Sequence, residues 1–178
     1  MNGEKPVCEL ALIVPVREAD GLVGDIRSQH DPSAPAGVPA HITVNYPFSP
    51  DVSLHADYVA LIASAACEIE PFPFQLDKIR EFPKTIYLSP HPVGPFLDII
   101  RRIAAIFPES KPYRGEFAEI IPHLTLAQAE EHEIPSLRAM IAAQLNPRLP
   151  MEAVAREIWL IENIGGLWEK KSVFPLGK

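Results

Sequence analysis

The chain has 178 residues and a formal net charge of −7. With 47% hydrophobic and 22% charged residues, it can bury a core without disulfide or metal staples. The acidic balance excludes a protein that coats long nucleic acid, which needs many Lys and Arg contacts to phosphate, but permits a local site for a nucleotide, short oligonucleotide or RNA end.

In chain order, the first predicted element is an apolar strand at Glu9–Val16, followed by a weak helix at Leu22–His30. Ser28–Pro39 is small and polar, and reads as a surface connection that could also gate access to the next strand. That strand is expected at His41–Tyr46, then a helix at Leu54–Ile69 whose Leu54, Tyr58, Leu61, Ile62, Ala65 and Ile69 share one face. Phe72–Arg80 is the next strand. The second half repeats the order with a strand at Thr85–Ser89 and a helix at Pro95–Phe107, striped by Phe96, Ile99, Ile100, Ile103 and Phe107. It continues with a strand at Phe117–Ala127, a helix at Leu137–Leu145 and a strand at Glu152–Ile161. The order β-α-β-α-β thus occurs twice, and the twenty prolines gather in the connections.

Only three threonines occur, and two of them sit two places after a histidine, in His41-Ile42-Thr43 and His123-Leu124-Thr125. Random placement of three threonines beside six histidines would give two such pairs with a probability on the order of 0.004. On a strand, residues i and i+2 share a face. His41 and Thr43 therefore point one way while Ile42 and Val44 pack behind them, and His123 and Thr125 do the same over Leu124 and Leu126. Each pair offers an imidazole that titrates near neutrality beside a hydroxyl that can donate to an anionic oxygen. Two such pairs across a cleft supply an acid, a base and two clamps for a tetrahedral anion. A proline closely precedes each motif (Pro39, Pro122), and a serine comes twelve or thirteen residues after it (Ser53, Ser136), placed to cap the next helix.

The other histidines, His30, His55, His91 and His132, fall near helix ends, loops or a Pro-rich turn and receive no role. No HExxH or clustered Cys/His spacing suggests a metal, and threonine is a poor zinc ligand. Cys8 and Cys67 show neither CxxC spacing nor a disulfide framework, the first residues lack a signal-peptide pattern, and no apolar run has the length of a membrane span. A cytoplasmic setting is expected. Candidate local cations are Lys78, Arg80, Lys84 and Arg114. Tyr46, Tyr87, Tyr113 and Trp168 are candidates for stacking on a base or ribose, Tyr87 foremost, with Arg80 as a further substrate contact.

The paired HxT motifs, their 82-residue spacing and the repeated element order resemble the 2H phosphoesterase superfamily. The segments HITVNYPF, FPKTIYLSPHPVGPF and PYRGEFAEIIPHLTLAQA are similar to bacterial members called 2′-5′ RNA ligase-like, and the resemblance runs to the terminal GLWEKKSVFPLG. It implies an α+β, bilobal, pseudo-twofold fold: one domain over residues 1–178 in which two mostly antiparallel sheets, flanked by helices, form a central cleft. The lobes are expected from the approximate halves 1–83 and 84–178. By position, the resemblance makes His41 and His123 the acid–base pair and Thr43 and Thr125 the phosphate clamps. It implies metal-independent hydrolysis of a 2′,3′-cyclic phosphate or related 2′-linked phosphodiester, without a cofactor, by a protein expected to act as a monomer. The alternatives are a 2′-5′ RNA ligase and a non-catalytic nucleotide-binding module. Some ligase-like members carry an arginine five residues after the second histidine, where this chain has Gln128, and an amide lacks the permanent charge and bidentate fork of a guanidinium.

Overall fold

A computed structural model describes residues 9–53, 57–117 and 119–177. Among these residues, eight strands and four α-helices run in the order β1 (Glu9–Pro15), α1 (Asp20–His30), β2 (His41–Phe48), α2 (Tyr58–Cys67), β3 (Phe72–Phe82), β4 (Thr85–His91), α3 (Gly94–Ile106), β5 (Leu124–Gln128), α4 (Ile134–Leu145), β6 (Met151–Ala155), β7 (Glu157–Ile164) and β8 (Leu167–Pro175). They form two four-stranded sheets, β2-β1-β7-β8 and β5-β4-β3-β6, in which every neighbouring pair is antiparallel. None of the described helices is long and apolar enough to cross a membrane.

The β-α-β-α-β order recurs as β1-α1-β2-α2-β3 and β4-α3-β5-α4-β6, with β7 and β8 added at the end. In each sheet the strand of one HxT motif lies at the edge, beside the first strand of its own half. The third position is then filled from the other half: β3 lies against β4, and β7 against β1. The lobes are therefore not the halves 1–83 and 84–178; strand exchange gives each sheet segments of both.

Alternation along β1 shows how the sheets are used. Leu12 and Val14 enter the main core, where they join Ile42 and Val44 of β2 and Leu124 and Leu126 of β5. Ala11 and Ile13 point to the opposite face and form a smaller cluster with Val38, Trp159 and Ile161. From Ala11 onward the side chains on both faces of β1 are buried, which explains why its sequence is apolar after Glu9. Helix α3 buries Phe96, Ile99, Ile100 and Ile103, as its periodicity predicts, and Phe96 meets Phe72 and Phe74 edge to face at 5.0 and 4.9 Å.

Four sequence expectations are corrected. The strand expected at Phe117–Ala127 begins only at Leu124, since Pro122 has no N–H to give a ladder. The strand expected at Glu152–Ile161 is two strands in different sheets; between them Arg156 turns outward to Glu18, 2.9 Å from its carboxylate. Strand β8 lies where the sequence predicts no element, because its Glu169-Lys170-Lys171 run reads as polar, although charge is common on edge strands. The hairpin leading to it turns on Gly165 and Gly166, whose φ values of 62° and 95° suit glycine. The expected serine caps also differ. Asp57 caps α2 by accepting from the Ala60 N–H at 3.0 Å, Ser53 is bound to Asp51, and Ser136 lies inside α4 with its hydroxyl donating to the Glu133 carbonyl. Cys8, Leu54 and His55 lie outside the described residues.

The segment from α1 to the first motif is tied down from within. Arg27 and Asp31, only 3% and 2% exposed, are paired at 2.9 Å. Arg27 also donates to the Val38 carbonyl and the Ser33 hydroxyl, and Asp31 accepts from the Ser33 N–H and hydroxyl. Further on, the Trp168 N–H donates to the Ala36 carbonyl at 2.7 Å, and a Cβ on Gly37 (φ 97°) would lie 2.9 Å from the Trp168 carbonyl oxygen. Residues 31–38 thus form an anchored ramp into His41. Removing one partner of a buried ion pair leaves the other charge desolvated. Arg27→Met is expected to lower the unfolding free energy by about 3–5 kcal/mol in urea titrations, with much of the loss recovered when Asp31→Leu is added.

Candidate active site

The two motifs are built alike. In the first, the His41 Nδ1–H donates to the Pro39 carbonyl at 2.8 Å; in the second, the His123 Nδ1–H donates to the Ile121 carbonyl at 2.7 Å. Each bond reaches back two residues, and a carbonyl oxygen can only accept. The proton of each neutral ring is therefore held on Nδ1, which leaves the lone pair on Nε2. Strand register places Thr43 opposite Ile13 and Thr125 opposite Tyr87.

Both motifs line one cleft of about 330 Å³. Its floor is apolar, with Ala11, Ile13 and Ile161, and Tyr46 and Trp168 meet at one side, edge to face, 5.9 Å between centroids. Tyr113 lines the cleft together with Thr43. Asp31, Ser33 and Gln128 complete the polar rim. A roomier depression of about 500 Å³, bordered by Glu18, His91 and Glu152, lies elsewhere and contains neither HxT motif, so chemistry rather than volume selects the site.

Burial pushes both imidazoles toward the neutral form. For His41 the loss of solvent is the largest effect, opposed by the Pro39 carbonyl and the Asp31 carboxylate and reinforced by the Arg27 guanidinium and by His123, so that its pKa falls to about 4. The His123 pKa is also lowered by burial, against the Ile121 carbonyl. His41 thus responds to the charge of His123, as two groups facing one small cavity must.

The cleft gathers most of the sequence candidates but not all. Tyr46, Tyr113 and Trp168 line it. Tyr87 does not offer a free stacking face: it is 4% exposed, stacked on Phe82 at 4.4 Å and packed against the His123 ring at 5.2 Å. Its ring supports the histidine. Arg80 borders a separate groove with Lys78, Glu81 and Arg138, across the strand pair from Tyr87. Sequence reasoning missed Arg27, Asp31 and Ser33; the visible signal was the i, i+4 Arg/Asp spacing at the end of α1. No group of three or more His, Cys, Asp or Glu that could hold a metal occurs among the described residues.

Residues 15–167 match the family model of the 2′-5′ RNA ligase superfamily. The chain belongs to that superfamily. Among relatives of this 2H phosphoesterase, a protein of Oceanobacillus iheyensis provisionally named a phosphoesterase is 26% identical over 129 residues, covering 68% of this chain and 70% of that one. The crystal structure of E. coli LigT complexed with 3′-AMP superposes with a TM-score of 0.65 at 16% identity, over 96% of this chain and 98% of the other. The crystal structure of TT0787 of Thermus thermophilus gives 0.60 at 18% identity, over 96% and 99%. The fold expected from the sequence is thereby confirmed.

The depressed His41 pKa has a consequence for stability. The unfolded chain binds this proton near pH 6.5 and the folded chain near 4, so acid favours unfolding; the contribution is intact above about pH 6.5 and is lost as pH falls toward 4. The loss should reach about 2–3 kcal/mol by pH ~4.5. In urea titrations at pH ~7.5 and ~4.5, His41→Asn is expected to lose that much less stability than the parent; equal losses would remove the assignment of a desolvated, neutral His41.

Proposed function

We propose that this superfamily member is a metal-independent phosphodiesterase that hydrolyses the 2′,3′-cyclic phosphate, or a related 2′-linked phosphodiester, of a nucleotide or short RNA end. The observation that carries this reading is the presence in one cleft of two imidazoles with the same Nδ1-protonated tautomer, each accompanied by a threonine two residues on. A neutral histidine takes a proton from water as its oxygen attacks phosphorus. The partner, protonated when the anionic substrate binds, gives its proton to the departing ribose oxygen. Burial holds both imidazoles neutral, so either can take the water proton while its partner, protonated with the substrate, serves as the acid. The threonine hydroxyls face the growing charge on the non-bridging oxygens, a preorganised electrostatic contribution.

The apolar floor and the Tyr46–Trp168 wall fit a nucleoside beside the phosphate, and LigT has been crystallised with 3′-AMP. The net charge of −7 favours a small ligand or a single RNA end over an extended strand. Gln128 on the cleft rim, in place of a guanidinium, favours hydrolysis over ligation. The cysteine usage fits action in the cytoplasm, and we assign the activity to the monomer.

The test is hydrolysis of the four nucleoside 2′,3′-cyclic monophosphates in EDTA. His41→Ala and His123→Ala are each expected to lower kcat/KM by at least about 10²-fold, and Thr43→Val or Thr125→Val by about 10²-fold. The parent should show a bell-shaped pH–rate profile. A folded parent without turnover on any of the four, or full activity in either histidine variant, overturns the proposal.

A further inference from the structure

The acidic net charge hides a local exception. On the second sheet a groove of about 410 Å³ is lined by Lys78, Ile79, Arg80, Glu81, Tyr87 and Arg138, three cations against one carboxylate in a chain of net charge −7. It follows an open strand edge: β6 pairs with β3 only over Phe72–Leu76, so the stretch from Lys78 to Phe82 has no strand neighbour on that side among the described residues. Lys78 and Arg80 belong to β3 itself, and Arg138 reaches in from α4, 3.1 Å from the Glu81 carboxylate and 3.4 Å from the Ile79 carbonyl. Both members of the Arg138–Glu81 pair are about half exposed, and ion pairs of that kind hold their partners weakly, so the guanidinium can turn to an arriving phosphate. Lys78 is largely exposed, 3.7 Å from Asp77, and Arg80 forms no ion pair with another described residue.

Strand register ties the groove to the active site. Directly opposed residues of an antiparallel pair share a face. Arg80 is opposite Tyr87, and Tyr87 opposite Thr125, so the three form one row across β3, β4 and β5 on the face that bears the second motif. Neighbouring strands lie about 4.8 Å apart, and two such steps set the Arg80 and Thr125 backbones about 10 Å from each other. Tyr87 is a wall common to both: it lines the groove and packs against the ring of His123, which lines the cleft. The Tyr46–Trp168 wall belongs to the other sheet. A chain that leaves the reacting phosphate across the second sheet therefore meets the groove next. The groove offers cations and no histidine, so it is equipped to bind and not to react.

We infer that Lys78, Arg80 and Arg138 form a second phosphate subsite, which holds a backbone phosphate of the RNA strand that carries the reacting phosphate. The subsite makes a short oligoribonucleotide, rather than a free nucleotide, the preferred substrate. Its two guanidinium groups suit the task, since each presents a planar fork to phosphate oxygens and stays charged at neutral pH. Three cations serve one or two phosphates, far fewer than the coating of long RNA requires, so the subsite and the acidic net charge agree. The role of the groove rests on the phosphoester reading of the cleft and narrows its substrate.

The experiment compares a nucleoside 2′,3′-cyclic monophosphate with an RNA tetranucleotide ending in the same cyclic phosphate, in EDTA and over a range of salt. The proteins are the parent, Arg80→Gln, Arg138→Gln and Arg80→Lys, with melting temperatures to establish folding. The parent should favour the tetranucleotide by at least about tenfold in kcat/KM at low salt, through KM. Arg80→Gln and Arg138→Gln should each cut that preference about three- to tenfold and lessen the logarithmic salt slope for the tetranucleotide by about 0.7. Arg80→Lys keeps the charge and should keep the slope. A parent indifferent to length, equal losses on both substrates, or an unchanged salt slope in the Gln variants overturns the subsite. If the parent cleaves neither substrate, the phosphodiesterase reading fails separately, and fluorescence anisotropy with a labelled tetranucleotide decides: weaker and less salt-dependent binding in both Gln variants supports the subsite, and equal binding or none rejects it.

Discussion

The two-residue period of a strand is the constraint on which this site depends. Ile42, Val44, Leu124 and Leu126 are each buried to within a few per cent, and burial of such a side chain contributes about 1.5–3 kcal/mol. Committing these residues to the core leaves His41, Thr43 and Thr125 on the opposite face, since a slip of one residue would invert every side chain. The hydrophobic core thus orients the polar pairs. The i−2 carbonyls then complete the arrangement, fixing each ring by its Nδ1 proton.

Bringing the motifs together is a separate achievement of topology. Neither half of the chain closes a sheet alone: β3 crosses to lie on β4, and β7 returns to lie on β1. These exchanged strands bind the lobes into one core that runs through both sheets. They also explain how motifs 82 residues apart come to share a cavity of about 330 Å³. The apolar floor is drawn from β1 and β7, on the face of the first sheet opposite its main core.

The electrostatics of the cleft come from desolvation more than from net charge. An acidic chain holds two neutral imidazoles, a neutral phenol and two hydroxyls around the proposed phosphate position, with the nearest buried guanidinium, Arg27, already paired to Asp31. Such a site has no standing excess of positive charge. The cost of burying Arg27 and Asp31 is offset by their hydrogen bonds to each other, Ser33 and Val38, which hold the ramp before His41.

By itself the sequence determined the two HxT motifs, the apolar face of α3, most strand positions and the superfamily, because these are written in spacings of two to four residues and in two short motifs; on α2 it included Leu61, which is exposed. Tyr46, Tyr113 and Trp168, chosen on residue type as stacking candidates, line the cleft. Only the tertiary structure decided which strands join across the halves, that β8 completes the first sheet, and that Tyr87 and Arg80 lie outside the cleft. It alone showed the buried Arg27–Asp31 pair. The physical reason is the range of the information: periodicity reports which way a side chain points from its own backbone, whereas its neighbours, solvent exposure and hydrogen-bond partners are set by segments far away in the chain.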